Sequence, residues 1–288
     1  MAKYLILGRT GQLGQAFAQR LGGEAVALSR AELDLAAGGL ATEVLAAYRP
    51  QVVLNCAAYN HVDQAEQEPQ QAFAVNALGV RELARACEKR GVFLVHFSTD
   101  YVFGLETGRR HPYTENDQPG PVNVYGVSKL AGEYFVRSIT PYHLIVRTCG
   151  LYGRPGQGGK RTNFVELILH QAATTPILHV VADQVCSPTC VPDLVDAVLQ
   201  CLERGLTGLV HLANEGAVSW YEFAQGILQV ARLSVELRPI SWRDRPSLAR
   251  RPEYSALASM RQDAPRLRYW QFALQDYLAT RAAAGWHS

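Results

Sequence analysis

The apolar run Tyr4-Leu5-Ile6-Leu7 leads straight into Gly8-Arg9-Thr10-Gly11-Gln12-Leu13-Gly14, and a helical pattern follows through Leu21. A buried strand, a glycine turn and a helix in that order are the context a dinucleotide fingerprint needs. Glycines let backbone amides approach a pyrophosphate, which then sits at a positive helix N-terminus. The spacing is G-x-x-G-x-x-G, so Gly8, Gly11 and Gly14 are the candidate cradle, with Thr10, Gln12 and Leu13 between them.

The rest of the first half alternates in the same way. Strands are expected at 25–28, 52–54, 92–97 and 142–146, and helices at 40–48, 64–90 and 123–138. This β-α alternation predicts an α/β fold with a doubly wound parallel, Rossmann-type sheet and a smaller C-terminal substrate lobe. Residues 1–150 and 178–212 are expected to form the dinucleotide-binding unit, and 151–177 and 213–288 the lobe. Further strands are expected at 177–181 and 209–212. Further helices are expected at 163–173, capped by Asn163, at 192–204, 220–230 and 269–284. The Gly-rich stretch 151–161 reads as a lid or substrate wall, and the long loop 103–122 as a functional one.

The strand at 25–28 ends in Ser29-Arg30, with no acid before Glu32. Arg30 can pair with a ribose 2′-phosphate, which points to NADPH, while Asp34 keeps NADH open. After the strand at 52–54, the small residues of Asn55-Cys56-Ala57-Ala58 leave room for a cofactor to lie close. Asn76 stands on an otherwise apolar helix face, either solvated or holding a water or backbone group in the site.

The strand at 92–97 ends in Ser98-Thr99-Asp100-Tyr101, placing a hydroxyl where ligands enter such sheets. The next helix carries Tyr125 and Lys129, one turn apart on one face. A free phenol, with a pKa of about 10, is a poor acid at neutral pH. A fixed cation beside it lowers that pKa and makes it a usable proton donor to a carbonyl being reduced.

Charge narrows the partners. With 28 basic and 26 acidic residues, the net charge of +2 gives no electrostatic argument for nucleic acid or a membrane surface. At 48% hydrophobic and 19% charged residues, the chain suits a soluble globular protein with a large core. No apolar run approaches the roughly 20 residues that span a bilayer. The six cysteines are scattered and no cleavage pattern follows Met1-Ala2-Lys3, so a reduced, cytoplasmic protein is expected.

The glycine turn, Thr99 and Tyr-x-x-x-Lys together resemble the extended short-chain dehydrogenases/reductases. Further stretches resemble the dTDP-4-dehydrorhamnose reductases within them. These are Cys56-Ala57-Ala58-Tyr59 with Val62-Asp63, Ser98 to Phe103, Asn123-Val124-Tyr125-Gly126 leading to Ser128-Lys129-Leu130-Ala131-Gly132-Glu133, Asp183-Gln184 with Pro188-Thr189, and Arg251-Pro252 with Tyr254-Ser255 and Leu257. The resemblance implies reduction of the C4 ketone of a dTDP-linked 6-deoxy-4-ketohexose. By the same resemblance Tyr125 is the proton donor, Lys129 holds the nicotinamide ribose, and Thr99 orients the carbonyl. Leu35, Ala57, Ala58, Tyr59 and Asn76 join the cofactor site with Arg30 and Asp34. Val62, Asp100, Tyr101, Asn163 and Arg251 join the substrate site. Arginines 243, 245, 250 and 251 form a basic segment able to bind a phosphate-bearing substrate.

Three departures stand out. Gly150 replaces a tryptophan often found against the sugar, which leaves that wall empty. Gln15 and Ala16 stand where some members have a magnesium-holding glutamate, so no metal is expected. His61 stands where a small residue is usual. Two other readings remain open: a non-catalytic, cofactor-binding regulatory subunit similar to the methionine adenosyltransferase β subunit, and a reductase or epimerase of another nucleotide sugar. A homodimer is compatible with any of them.

Overall fold

A computed structural model describes residues 2–157, 163–245 and 247–285, apart from the side chain of Leu40. In chain order the elements are β1 (Tyr4–Leu7), α1 (Gln12–Leu21), β2 (Ala25–Leu28), α2 (Leu40–Tyr48), β3 (Val52–Asn55), α3 (Val62–Gln67), α4 (Pro69–Phe73), α5 (Val80–Glu88), β4 (Phe93–Thr99), α6 (Val124–Ile139), β5 (His143–Thr148) and β6 (Leu151–Tyr152). Then follow α7 (Phe164–Thr174), β7 (Ile177–Val181), β8 (Val185–Cys186), β9 (Thr189–Cys190), α8 (Val191–Glu203), β10 (Gly208–His211), β11 (Val218–Ser219), α9 (Trp220–Ala231), β12 (Glu236–Ile240) and α10 (Trp270–Ala283).

Six strands form one parallel sheet in the order β10-β5-β4-β3-β1-β2. The strands are apolar on both faces because helices cover both. Tyr4, Ile6, Leu54 and Val146 pack with Leu13 and Phe17 of α1 and Leu194 and Val198 of α8. Leu5, Leu7, Val53 and Ile145 point the other way, toward Leu45 of α2, Leu83 of α5 and Val136 of α6. This is the period-two alternation of a strand read out in packing. The chain reverses its winding between β1 and β3, and ligands bind beyond the carboxyl ends of the strands at such a reversal.

Two elements differ from the sequence reading. The stretch expected as one helix from 64 to 90 is broken: α3 ends at Gln67 and α4 restarts with Pro69 in its first turn, where a missing N–H costs nothing. A π-helical turn, Ala74–Gly79, then leads into α5. The strand Ile177–Val181 is present, but it pairs in parallel with β12 and lies outside the six-stranded sheet. Its Leu178 and Val180 pack with Phe223 and Ile227 of α9 and with Leu274 of α10. This corrects the expected boundary, because β7 sits in the lobe and the chain rejoins the main sheet only with α8 and β10. Residues 158–161 of the expected lid lie outside the described residues. Among the described residues no helix is long and apolar enough to cross a membrane. All six cysteines are free.

The inner face of α6 carries charge into the core. Glu133 accepts two bonds from Arg147 of β5, at 2.9 and 2.7 Å, and one from Ser98 of β4 at 2.5 Å. Both charged side chains are fully buried. Breaking such a pair strands an uncompensated charge, so Glu133→Gln is expected to lower unfolding free energy by about 3–5 kcal/mol. Urea unfolding at neutral pH checks this. A midpoint equal to that of the unmodified protein would show that the pair carries no net stability.

Candidate active site

The glycine turn fits a dinucleotide. Gly8 N and Arg9 N both donate to Leu28 O, at 3.0 and 2.9 Å, which ties the turn to the end of β2. Gly8 has φ +88°, and a Cβ there would lie 2.9 Å from Ala57 N; a Cβ on Gly14 would lie 2.2 Å from Gly8 O. Only glycine therefore lets β1, β3 and the start of α1 close up. No side chain caps α1. Its first amides are left for an external anion, as pyrophosphate binding requires.

The lobe reaches this turn through Asn163. Its Oδ1 caps α7 by accepting from Glu166 N at 3.1 Å, as expected, while Nδ2 donates to Gln12 Oε1 and Gly153 O, each at 2.8 Å. Gln157 N also donates to Thr10 O at 2.8 Å. A cleft of about 620 Å³ opens beside the turn between α1, α8 and α10, but Thr99, Tyr125 and Lys129 are not among its walls.

Asn76 is buried in the π turn. Its Oδ1 accepts from Tyr59 N, and its Nδ2 donates to Tyr59 O and to Ser128 Oγ, at 2.9, 2.9 and 3.0 Å. Of the roles open to it, the structure selects that of holding backbone. It clamps the loop after β3, with Ala57, Ala58 and Tyr59, onto α6. At the end of β2, Arg30 is paired with Asp34 at 3.0 Å, Asp34 also accepts from Ala36 N, and Leu35 is buried behind them.

Tyr125 is positioned by the N-terminus of α6. Asn123 Oδ1 accepts from Gly126 N and Glu66 Oε1 from Val124 N, both at 2.8 Å, while Asn123 Nδ2 donates to Arg250 O at 2.7 Å. The phenol is hydrogen-bonded to Thr99. Thr99 Oγ1 donates to Asp100 Oδ1 at 3.1 Å and accepts from Tyr101 N at 3.2 Å. Tyr101 meets Tyr125 edge to face, with ring centroids 5.9 Å apart. Asp100 is buried and accepts from Ser255 Oγ at 2.6 Å, so it braces Thr99 from behind.

The electrostatics correct one expectation. Lys129 does not lower the tyrosine pKa in this structure. Burial pushes Tyr125 up to about 12, the Thr99 bond opposes this, and the Asp100 charge adds to it. Lys129 Nζ instead donates to Phe97 O at 2.7 Å, and burial pulls its amine down to about 8. With no anion bonded to it, the lysine turns to the nearest free carbonyl.

Arg251 is likewise not free. It forms a fork on Asp63, at 2.7 and 3.2 Å, next to Val62 at the start of α3. Arg251, opposed by burial and joined by Ala249 N and Ser247, holds the Asp63 carboxyl down at about 2. Gly150 does not leave an empty wall. A Cβ there would lie 3.3 Å from both Pro188 Cα and Trp220 Cη2, so the indole of α9 already occupies that side. Sequence reasoning missed Glu66, Ser255 and Trp220, because their roles rest on contacts between distant segments.

The family described as RmlD substrate binding domain matches residues 2–282. The chain is 39% identical to a dTDP-4-dehydrorhamnose reductase of Mycolicibacterium smegmatis, covering 98% of this chain and 86% of that protein. It is 35% identical to the spore coat polysaccharide biosynthesis protein SpsK of Bacillus subtilis, covering 99% of each. A solved dTDP-4-dehydrorhamnose reductase of Bacillus anthracis in complex with NADP superposes with a TM-score of 0.91 at 35% identity, over 97% of this chain and 100% of that one.

The buried lysine generates a stability prediction. Its folded pKa, about 8, lies below its unfolded value of 10.5. The unfolded state therefore binds more protons in that window, and stability rises as pH climbs through it. At neutral pH the full burial cost is present, on the order of 3 kcal/mol, less the bond to Phe97 O. Lys129→Met is expected to melt higher than the unmodified protein at pH 7, with the gap closing above pH 10. Calorimetry at the two pH values checks it, and a lower melting temperature at pH 7 would contradict it.

Proposed function

The chain belongs to the RmlD substrate-binding family, and from that premise we propose that it reduces the C4 ketone of dTDP-4-dehydro-L-rhamnose to dTDP-L-rhamnose with NADPH, NADH serving as an alternative. The observation that carries the reading is the hydrogen-bonded Thr99–Tyr125 pair at the carboxyl edge of the sheet. Lys129 lies one helical turn further along on the same face of α6. An intact group of this kind suits a catalyst better than a regulatory subunit.

Bound reduced nicotinamide supplies the hydride to C4. Tyr125 supplies the proton to the ketone oxygen, so that carbonyl, hydride and proton balance as one secondary alcohol. Thr99 turns its hydroxyl from Asp100 to the carbonyl oxygen and holds it beside the phenol. Lys129, cationic below about pH 8, leaves Phe97 O for the nicotinamide ribose and then favours the phenolate that proton donation leaves behind. The six-stranded sheet holds the dinucleotide, and the lobe of α7, α9 and α10 faces the sugar nucleotide. Val62, Tyr101, Asn163 and Arg251 stand around that opening, and Trp220 contributes the aromatic wall that Gly150 lacks. The free cysteines suit a cytoplasmic enzyme, working alone or as a homodimer.

Mixing the protein with NADPH and dTDP-4-dehydro-L-rhamnose and following nicotinamide absorbance tests the reading directly. In Tyr125→Phe, kcat is expected to fall by about 10²–10⁴, the usual contribution of a positioned acid. NADPH affinity should change little. Turnover near that of the unmodified protein would reject Tyr125 as the donor.

A further inference from the structure

Beyond the residues already placed in the site, the end of β2 gathers two arginines, each held by its own acid. Arg9 Nη2 lies 3.4 Å from Glu32 Oε2, and Arg30 Nε lies 3.0 Å from Asp34 Oδ2. Arg9 belongs to the glycine turn, yet its backbone N–H is bonded to Leu28 O, the last residue of β2. The turn therefore delivers a second cation to the place where the strand delivers Arg30. The acids are fixed: Glu32 Oε2 accepts from Ser29 N at 2.8 Å and Ser29 Oγ at 2.6 Å, and Asp34 Oδ1 accepts from Ala36 N at 2.9 Å.

We propose that Arg9 acts with Arg30 to select a phosphate on the 2′ position of the adenosine ribose, and that Glu32 and Asp34 hold the two guanidiniums at that spot until it binds. The inference rests on the dehydrogenase reading of the glycine turn and deepens it by naming what sets cofactor choice. Both pairs are solvent-exposed, with the arginine side chains 52% and 69% accessible. Exposed pairs of this kind contribute only about 0–1 kcal/mol, so a dianion displaces the carboxylates at small cost. Bonds from a guanidinium to phosphate are charge-assisted and bidentate, and so stronger than those released. When the ribose carries a hydroxyl instead, the same two carboxylates are the acceptors it needs. One set of four side chains thus admits both cofactors and favours the phosphorylated one.

The test is titration calorimetry of the unmodified protein, Arg9→Ala, Arg30→Ala and Glu32→Gln with NADPH, NADH and 2′,5′-ADP. Each arginine variant is expected to bind NADPH and 2′,5′-ADP about tenfold more weakly, with NADH affinity within about twofold, the loss typical of a charged hydrogen bond. Glu32→Gln, which releases Arg9, is expected to bind NADPH more tightly. An NADPH-to-NADH affinity ratio in Arg9→Ala equal to that of the unmodified protein overturns the inference and leaves the reductase reading standing. Failure of the unmodified protein to bind either nucleotide overturns both.

Discussion

Helix α6 buries two ionisable side chains one turn apart, and the geometry of the site depends on how each is compensated. Glu133 meets Arg147 in a fork and takes a third bond from Ser98. Lys129 has only the carbonyl of Phe97. Tyr125, Lys129 and Glu133 follow one another at intervals of four along a single stripe of the helix. The stripe runs from the half-buried phenol at the rim to the ion pair in the core. A rotation of α6 by one residue would pull Glu133 away from Arg147. The ion pair at the base therefore sets the register that presents the phenol at the top, and a buried pair used to specify register is the best-attested role for such groups.

The top of the stripe is held by pieces far away in sequence. Glu66 from α3, Asn123 through Arg250, and Asn76 through Ser128 each bond the first two turns of α6 or the residue capping them. A neutral hydrogen bond contributes only about 0.5–1.5 kcal/mol. Their value lies in direction rather than strength. They come from three separate segments and leave the phenol no second orientation. Asn76 also fixes Tyr59, so the loop that would lie under the nicotinamide and the helix that carries the acid move as one body.

Local pattern made the sheet legible, because each strand is a short apolar run bounded by a turn and each covering helix has its own period. The glycine turn and the Tyr125–Lys129 pair were legible for the same reason, since their chemistry is written within a few residues. Ile177–Val181 was readable as a strand but not as a member of the lobe. Its partner, Glu236–Ile240, carries Glu236, Arg238 and Pro239, lies mostly at the surface, and gives little apolar signal. Trp220 was readable as a helix residue and not as the neighbour of Gly150, because nothing local encodes a contact across seventy residues. Arg251 and Arg30 were found as cations but not as paired ones. Spacing reports which charges exist, whereas pairing is a property of the closed fold.

The phenol itself shows why an expectation built on two residues can have the wrong sign. The sequence argument set one cation beside one phenol and lowered its pKa. The folded chain turns that cation onto Phe97 O and sets the buried Asp100 behind Thr99, so the phenol is driven up to about 12. For a reduction this is a favourable resting state. The acid has to enter the reaction carrying its proton, and a phenol near 12 is fully protonated at any physiological pH. What it lacks is a driving force to give the proton up, and that must arrive together with the substrate. Moving one ammonium from a carbonyl to the neighbourhood of the phenolate supplies it, because a charge placed in a site that excludes water acts through a low effective dielectric. The burial cost carried by Lys129 in the resting protein is thus what leaves it ready to move. A lysine already satisfied by a buried carboxylate, as Arg147 is by Glu133, would be too well held to respond.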